Sequence, residues 1–486
     1  MTATVTFTHV DDLFVDGRWI VSSSPDRLPV VDPATGEQWG SIPQISVADL
    51  DAAVAAARTA FDTGNWPRLR AADRAELLRR MADEVEKRAE QISVTNTLEN
   101  GSPVAETAGA AANAAGILRH VAGLADVLDA EDRRAFPAGQ GETVVRRDPI
   151  GVCALIAPWN FPINLVVTKL APALLAGCTV VIKPAETTPL SIRHVVEAAA
   201  AAGIPAGVVN LVTGDGRVGD ALVRHPGIDK VAFTGSTAVG RRIAAACGEL
   251  LRPVTLELGG KSAAIVLDDA DLDAVSSVLI RSCMRNTGQT CYIATRILAP
   301  ASRYDEVVEM VTRTVRSARQ GDPFDPDTVF GPVANQRQWE VVRGFLDSAR
   351  EEGARVTTGG HARTDRVGYF IEPTVLVDVT PEMRVAREEI FGPVVTVLRY
   401  EDLDEAIALA NSTSFGLGGI VFGRDTARAQ EVAERMDTGS VGINFFASNH
   451  AAPFGGRHES GLGVEYGVEG LMQYVTYKSI HRRLRP

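Results

Sequence analysis

The segment Gly151-Val152-Cys153-Ala154-Leu155-Ile156-Ala157-Pro158-Trp159-Asn160-Phe161-Pro162 decides the fold. The run Val152 to Ala157 is apolar throughout, too short for a helix, and closed by two prolines that stiffen the backbone around Asn160 before a helical stretch begins. The same pattern repeats downstream. Thr179 to Ile182, Val208 to Val212 and Lys230 to Phe233 are strand-like, and the segments between them suit helices of about 10–15 residues, the length of a crossover unit. Such alternation implies a parallel sheet covered by helices, with ligands in the crevice at the carboxyl ends of the strands.

Upstream of Gly151, the first 45 residues carry short strand-like pieces, Leu13-Phe14-Val15 and Leu28 to Val31, and are expected to form a surface arm. From Ser46 to Leu98 apolar residues recur every three or four positions, with Ser46 suited to an N-cap and Asn100-Gly101 to a stop, which predicts two helices. An alanine-rich helix follows to about Leu124. Residues 128–149 then read as an exposed ribbon, and Met472 to Ile480 as a strand that could pair with it, since a lone two-stranded ribbon is marginal in water. After Gly260 a second α/β region begins at Ala263 to Leu267, with helices expected over Asp271 to Arg285, Tyr304 to Ala318, Gln336 to Glu352 and Thr426 to Met436. At 486 residues the chain exceeds one ordinary core, so two large domains are expected.

A formal net charge of -12 disfavours a phosphate backbone, and nucleic acid is not expected as a partner. No apolar run reaches the roughly 20 residues of a membrane span, and the N-terminus has no secretory pattern, so a cytoplasmic location is expected. The five cysteines lack CxxC spacing, which speaks against a disulfide framework or a metal site.

Cys291 stands apart from the other four, ending the polar turn Asn286-Thr287-Gly288-Gln289-Thr290. A nucleophilic thiol needs its pKa lowered or a base nearby, although a cysteine beside a turn is more often a small buried hydrophobe. Glu257, before Leu258-Gly259-Gly260, is placed at a strand end, where partial burial would suit a general base; a surface carboxylate is the plainer alternative. Asn160 could donate its amide to a developing oxyanion, or simply belong to a rigid turn. Lys183-Pro184-Ala185-Glu186 could hold the hydroxyls of an adenosine ribose or be a solvated ion pair. Phe233-Thr234-Gly235-Ser236 sits at a strand-to-helix junction suited to a pyrophosphate, and Gly214 to Gly219 is a weaker signal of the same kind.

Eight motifs in order make the chain resemble the aldehyde dehydrogenase superfamily: Pro158 to Pro162, Lys183 to Glu186, Phe233 to Ser236, Glu257 to Lys261, Gly288 to Cys291, Glu389-Ile390-Phe391-Gly392-Pro393, Asn411 to Leu417 and Pro453-Phe454-Gly455-Gly456. The resemblance implies a Rossmann-type parallel-sheet cofactor domain (1–127 and 150–257), an α/β catalytic domain (258–455) and an oligomerisation ribbon (128–149 and 470–486). It further implies Cys291 as nucleophile, Asn160 as oxyanion donor, Glu257 as the base for water, and Lys169 as an orienting or relaying group. For NAD it implies Lys183 and Glu186 at the adenine ribose, Gly235 and Ser236 at the pyrophosphate, Glu389 and Phe391 at the nicotinamide end, with Ile156, Trp159, Gly216, Gly219, Phe233 and Gln338 as further contacts. Phe161, Leu165, Tyr292, Phe445 and Phe454 suggest an apolar, partly aromatic tunnel without a cluster of charge, hence an apolar aldehyde. A homodimer or homotetramer follows from the resemblance, and no metal. Coenzyme A acylation, NADP dependence and a non-catalytic NAD-binding protein are the alternatives; Glu257 favours water and Glu186 favours NAD.

Overall fold

The computed structural model describes residues 9, 12–137, 139–364 and 367–483. The N-terminal residues of the expected cofactor domain (1–8, 10 and 11) and the last three of the expected ribbon (484–486) lie outside the described residues. An eight-stranded sheet has at its centre five parallel strands in the spatial order Val209–Leu211, Thr179–Lys183, Val152–Ile156, Lys230–Thr234 and Val254–Glu257. The chain runs outward from Val152–Ile156 in one direction and then in the other, so the order reverses between this strand and Lys230–Thr234. A crevice opens at such a switch point, outside the carboxyl ends of the strands.

The apolar run that marked the first strand is a run because both faces are covered. Cys153 and Leu155 pack into one core layer, Val152, Ala154 and Ile156 into the layer opposite, and all five are buried. Truncating Leu155 to alanine would cost about 2–5 kcal/mol. The helix Pro162–Ala176 follows with proline in its first turn and ends on Gly177 at φ 96°, a left-handed C-cap.

A second, seven-stranded sheet runs Arg355–Thr358, Thr374–Val377, Val394–Tyr400, Arg296–Pro300, Ala263–Val266, Gly418–Phe422, Ser440–Ile443, with only the first pair antiparallel. It has its own two core layers. Gly141–Pro149 lies between Asp132–Ala135 and Val475–Arg483 in a three-stranded antiparallel sheet, Val475 opposite Pro149 and Arg483 opposite Gly141.

Three expectations are corrected. The N-terminal piece is not a surface arm: Asp12–Val15 pairs antiparallel with Val209–Leu211, and Leu13, Phe14 and Val15 are buried. Ser46 does cap a helix, through a capping box with Asp49, but three helices follow it rather than two, Val47–Asp62, Ala71–Glu86 and Ala89–Asn100. The unforeseen break at Lys87–Arg88 has no glycine or proline to announce it. The C-terminal strand begins at Val475, because Gly467–Met472 forms a short helix.

Candidate active site

The loop before Cys291 turns through three successive left-handed residues, Asn286 (φ 53°), Thr287 (φ 56°) and Gly288 (φ 75°). A β-branched threonine is rarely found there, and such backbone survives only where its surroundings over-determine it. They do. Asn286 donates to the Asn160 carbonyl at 3.0 Å and accepts from Ser102 Oγ, while Thr287 Oγ1 accepts from Gly331 N at 3.1 Å. The Gln289 side chain accepts from Ala334 N at 2.9 Å. At Gly288 any Cβ would lie 1.9 Å from the Gly392 carbonyl oxygen. Cys291 is thereby held at the end of a rigid turn, partly exposed, while Cys153, Cys178, Cys247 and Cys283 are all buried.

Asn160 donates through Nδ2 to the Gln289 carbonyl at 3.0 Å, two residues before Cys291, and its Oδ1 is buried without a hydrogen-bond partner among the described residues. Glu257, at the end of Val254–Glu257, is buried, and neither carboxylate oxygen has a hydrogen-bond partner among the described residues. Burial, reinforced by the nearby charge of Glu465, pushes its pKa well above the ordinary carboxylate range, and Lys169 pulls weakly the other way. Lys169, fully buried on Pro162–Ala176, sits 2.5 Å from both Glu465 Oε1 and Thr234 Oγ1. Burial raises the Cys291 thiol as well, and Glu389 and then Glu257 add to the rise. The resting sulfur is therefore a thiol that feels the charges of both carboxylates.

The expected cofactor residues gather around the switch point. Lys183, Ile156, Phe233 and Leu256 lie side by side in register across four strands. Lys183 is buried, its Nζ 3.0 Å from the Pro184 carbonyl and 4.0 Å from the exposed Glu186 carboxylate. Burial lowers the Lys183 pKa, and Glu186 and Asp215 partly restore it. Gly219 lies 3.7 Å from the Lys183 side chain, measured from the Cβ it lacks; Gly216 opens the helix Gly216–Arg224 with free space beside it. Ser236 precedes the helix Thr237–Glu249 without capping it, and the Phe233 ring lies against Gly235. On the other side of the crevice, the Trp159 and Phe391 rings meet edge to face at 5.3 Å. Gln338 gives its amide to the Ile390 and Phe391 carbonyls at 3.0 and 2.9 Å, bracing Phe391 in a left-handed conformation (φ 55°). Glu389 accepts from Gly260 N at 3.0 Å, and burial pushes its carboxyl up to about 7.

Tyr292 and Phe454 do come together, 6.1 Å between ring centroids, in a cluster that also includes Phe446, stacked on Tyr292 at 4.8 Å, and Tyr466. Phe161 joins through Arg285, whose guanidinium lies 5.1 Å over its ring and 2.9 Å from Tyr292 Oη. Leu165 packs against the first core, and Phe445 is 64% exposed. The absence of charge beside these aromatics is corrected: Arg285 is there, ion-paired to Glu106 at 2.9 Å. Arg285, Glu106, Phe446, Tyr466 and Glu465 all escaped the sequence reading. Arg285 stands six residues before Cys291 and was within reach of it; Glu106 and Glu465 meet their partners across 179 and 296 positions, and nothing local marks them.

A doubly wound parallel sheet whose switch-point loop holds Asn160 against the turn before Cys291, with a buried, unpartnered glutamate at a strand end, is the architecture of a nucleotide-dependent α/β enzyme. The family model described as "Aldehyde dehydrogenase family" matches residues 19–480, and the chain belongs to that family, whose members are oxidoreductases acting on aldehydes. It is 49% identical to a geranial dehydrogenase of Castellaniella defragrans over 96% of this chain and 98% of the relative. Among solved structures, a Mycobacterium tuberculosis aldehyde dehydrogenase in complex with NAD+ matches with a TM-score of 0.94 and 41% identity, covering 98% of each chain. A mutant of aldehyde dehydrogenase C of Pseudomonas syringae in complex with NAD+ and octanal matches with a TM-score of 0.93 and 39% identity, again over 98% of each chain.

Proposed function

We propose that the enzyme oxidises an apolar aldehyde to the carboxylic acid with NAD+, through a thioester on Cys291. The observation that carries this reading is the buried, unpartnered Glu257 carboxylate, whose charge reaches the partly exposed Cys291. A group so costly to bury serves no packing purpose.

Loss of the Cys291 proton to a neighbouring carboxylate lets sulfur attack the aldehyde carbon, forming a C–S bond and placing charge on oxygen. The second N–H of Asn160 Nδ2 and the Cys291 backbone N–H are the donors for that oxyanion, worth about 2.7–4 kcal/mol in a fixed site. Bound NAD+ supplies the two-electron acceptor for the hydride that leaves this carbon. Glu257 then takes a proton from water, which attacks the thioester; the C–S bond breaks and the acid leaves. Lys169 and Glu465 tune Glu257 by charge.

The crevice fits a dinucleotide. The uncapped Thr237–Glu249 helix with the free Ser236 side chain suits a pyrophosphate beside Gly235, and the Lys183–Glu186 pair suits the adenine ribose, with Gly216 and Gly219 leaving room beside it. Ile156, Phe233 and Trp159 line the floor, and Glu389 with Phe391, braced by Gln338, addresses the nicotinamide end. Glu186 would repel a 2′-phosphate, which favours NAD over NADP. Residues 1–127 and 150–257 would thus form the cofactor domain and 258–455 the catalytic domain; 128–149 with 470–486 would bridge subunits of a homodimer or homotetramer through the free edge of its strands. Phe161, Tyr292 and Phe454 line the substrate approach, and geranial and octanal, named for two relatives, are both uncharged carbon-rich aldehydes. Five free thiols suit a reducing compartment, the cytoplasm.

The test is reduced-nicotinamide absorbance at about 340 nm with octanal and NAD+ or NADP+, for the wild type beside Cys291→Ala. NADH and acid formed together, lost in the variant, and a higher kcat/KM with NAD+ are expected. Turnover that survives in Cys291→Ala would refute the thioester.

A further inference from the structure

The Asn160 loop and the cysteine turn are braced from behind by Asn100-Gly101-Ser102, at the end of the helix Ala89–Asn100, a segment that takes no part in the proposed chemistry. Asn100 Nδ2 donates to the carbonyls of Trp159 and Asn160 at 3.2 and 3.3 Å and to Asn96 Oδ1 at 3.1 Å. Asn100 Oδ1 accepts from Ser102 N at 2.9 Å. Ser102 Oγ donates to Asn286 Oδ1 at 2.5 Å, and Asn286 Nδ2 donates to the Asn160 carbonyl at 3.0 Å. Asn100, Ser102, Asn286 and Asn160 thus close a ring of hydrogen bonds, and all of them are buried.

Each link of the ring has one direction only. A carbonyl accepts and never donates, so the Asn286 amide must face Asn160 with Nδ2 and present Oδ1 to Ser102, whose hydroxyl has to donate. Asn286 is also the first of the three left-handed residues before Cys291, and the Ser102 hydroxyl fixes its side chain there. Ser102 and Asn286 stand 184 positions apart, so the ring exists only in the folded chain. Between the two braces Gly101 is left-handed (φ 72°), and a Cβ there would lie 2.5 Å from Pro332 Cγ, which pins the backbone that spaces them. Opening one link strands a buried polar partner, which costs more than the bond itself contributes.

We infer that Asn100 and Ser102 are positioning residues that set the Asn160 amide against the Cys291 backbone N–H, given the oxyanion roles proposed above for those two donors. Asn160 is held on two sides: its backbone carbonyl is tied to Asn100 and Asn286 behind, and its side chain reaches forward to the Gln289 carbonyl, two residues before Cys291. A preorganised site tolerates about 0.5 Å of displacement, and a shift of about 1 Å can cost a hundredfold in rate.

A double-mutant cycle tests this, because Asn160 enters the ring through its backbone carbonyl and Asn160→Ala leaves the ring intact. The full-length wild type, Ser102→Ala, Asn160→Ala and the double variant are compared by kcat/KM for octanal at saturating NAD+, with NAD+ affinity followed by protein fluorescence. Ser102→Ala should lower kcat/KM about ten- to a hundredfold while the NAD+ Kd stays within about twofold of wild type. In the Asn160→Ala background the same change should cost less than about threefold, since the amide it positions is gone. Equal losses in both backgrounds, a weakened NAD+ Kd that accounts for the loss, or wild-type kcat/KM in Ser102→Ala overturns the positioning role alone. Wild-type kcat/KM in Asn160→Ala overturns the oxyanion reading and the positioning role with it. If Ser102→Ala does not fold, Ser102→Cys, which keeps the shape of the side chain with a weaker donor, takes its place in the cycle.

Discussion

Lys169 Nζ lies 2.5 Å from Glu465 Oε1, with both side chains withdrawn from solvent and Thr234 Oγ1 at the same distance from the ammonium. The pair joins the helix Pro162–Ala176 to a segment 296 positions later, beside Glu257. Glu257 feels both partners in opposite senses: Glu465 raises its pKa and Lys169 lowers it. A base acts when ionised, so the rate of the water step should climb with pH through the Glu257 pKa.

Glu465→Gln should therefore move the acid limb of the kcat profile, recorded where hydrolysis limits turnover, to lower pH, and Lys169→Met should move it higher. Either change breaks a buried pair and should cost about 3–5 kcal/mol of stability. Profiles recorded below each variant's melting transition separate the two effects. Limbs that shift together, or not at all, would remove Glu257 from the titration.

Cys291 should be the first of the five thiols alkylated by iodoacetamide, since the other four are buried. Labelling at pH 7 should be slow, because burial and the charges of Glu389 and Glu257 hold the thiol above its ordinary value. Glu389, pushed up to about 7, is mostly charged at pH 8.5. Glu389→Gln should then lower the thiol pKa and speed labelling several-fold at that pH, read by mass spectrometry of the Cys291 peptide.

The parts of this fold that depend on local pattern were legible, and those that depend on distant encounters were not. Val152–Ile156, Thr179–Lys183 and Lys230–Thr234 could be read because burial on both faces leaves unbroken apolar runs. Glu257 and Cys291 could be singled out because each stands beside a glycine turn, as at Gly288, and the resemblance of the eight motifs set their expected roles. The four-residue strand Asp12–Val15 could not be placed, since its partner Val209–Leu211 lies almost 200 positions away. The same distance hides Glu106 and Glu465. Whether Lys261 finds a hydrogen-bond partner is likewise a property of the assembled fold, not of the motif that contains it.

Glu99 gives a stability prediction with a definite sign. It is fully buried at the start of the helix Ser191–Ala201, accepting from Ser191 N at 3.0 Å and from Leu190 N. Burial outweighs these bonds and raises its pKa from 4.5 to about 7. Between those values the folded state holds the proton more tightly than the unfolded chain does, so stability falls as pH rises through this window and the loss is complete above about 7. The contribution is on the order of 3 kcal/mol. Glu99→Gln should flatten that slope, making the stability difference between pH 5 and pH 8 smaller than in the wild type, as measured by denaturant unfolding at both pH values.

Arg285 and Glu106 should set the tolerance for charge in the substrate. Arg285 touches the aromatic wall on two sides, over Phe161 and against Tyr292 Oη, but Glu106 at 2.9 Å balances its charge. With the pair intact, an aldehyde bearing a carboxylate meets a neutral couple and gains little, whereas an apolar chain gains contact with the rings of Phe161, Tyr292 and Phe454. In Glu106→Gln the guanidinium keeps its place through Tyr292 while losing its counter-charge, and it becomes free to receive a carboxylate in the bidentate geometry that arginine favours. A charge-assisted bond of about 1.5–3 kcal/mol corresponds to a gain of roughly ten- to a hundredfold. The kcat/KM for a carboxylate-bearing aldehyde should rise by that order relative to octanal. Arg285→Met should show no such rise, and an equal ratio in all three proteins would mean that Arg285 lies off the substrate path.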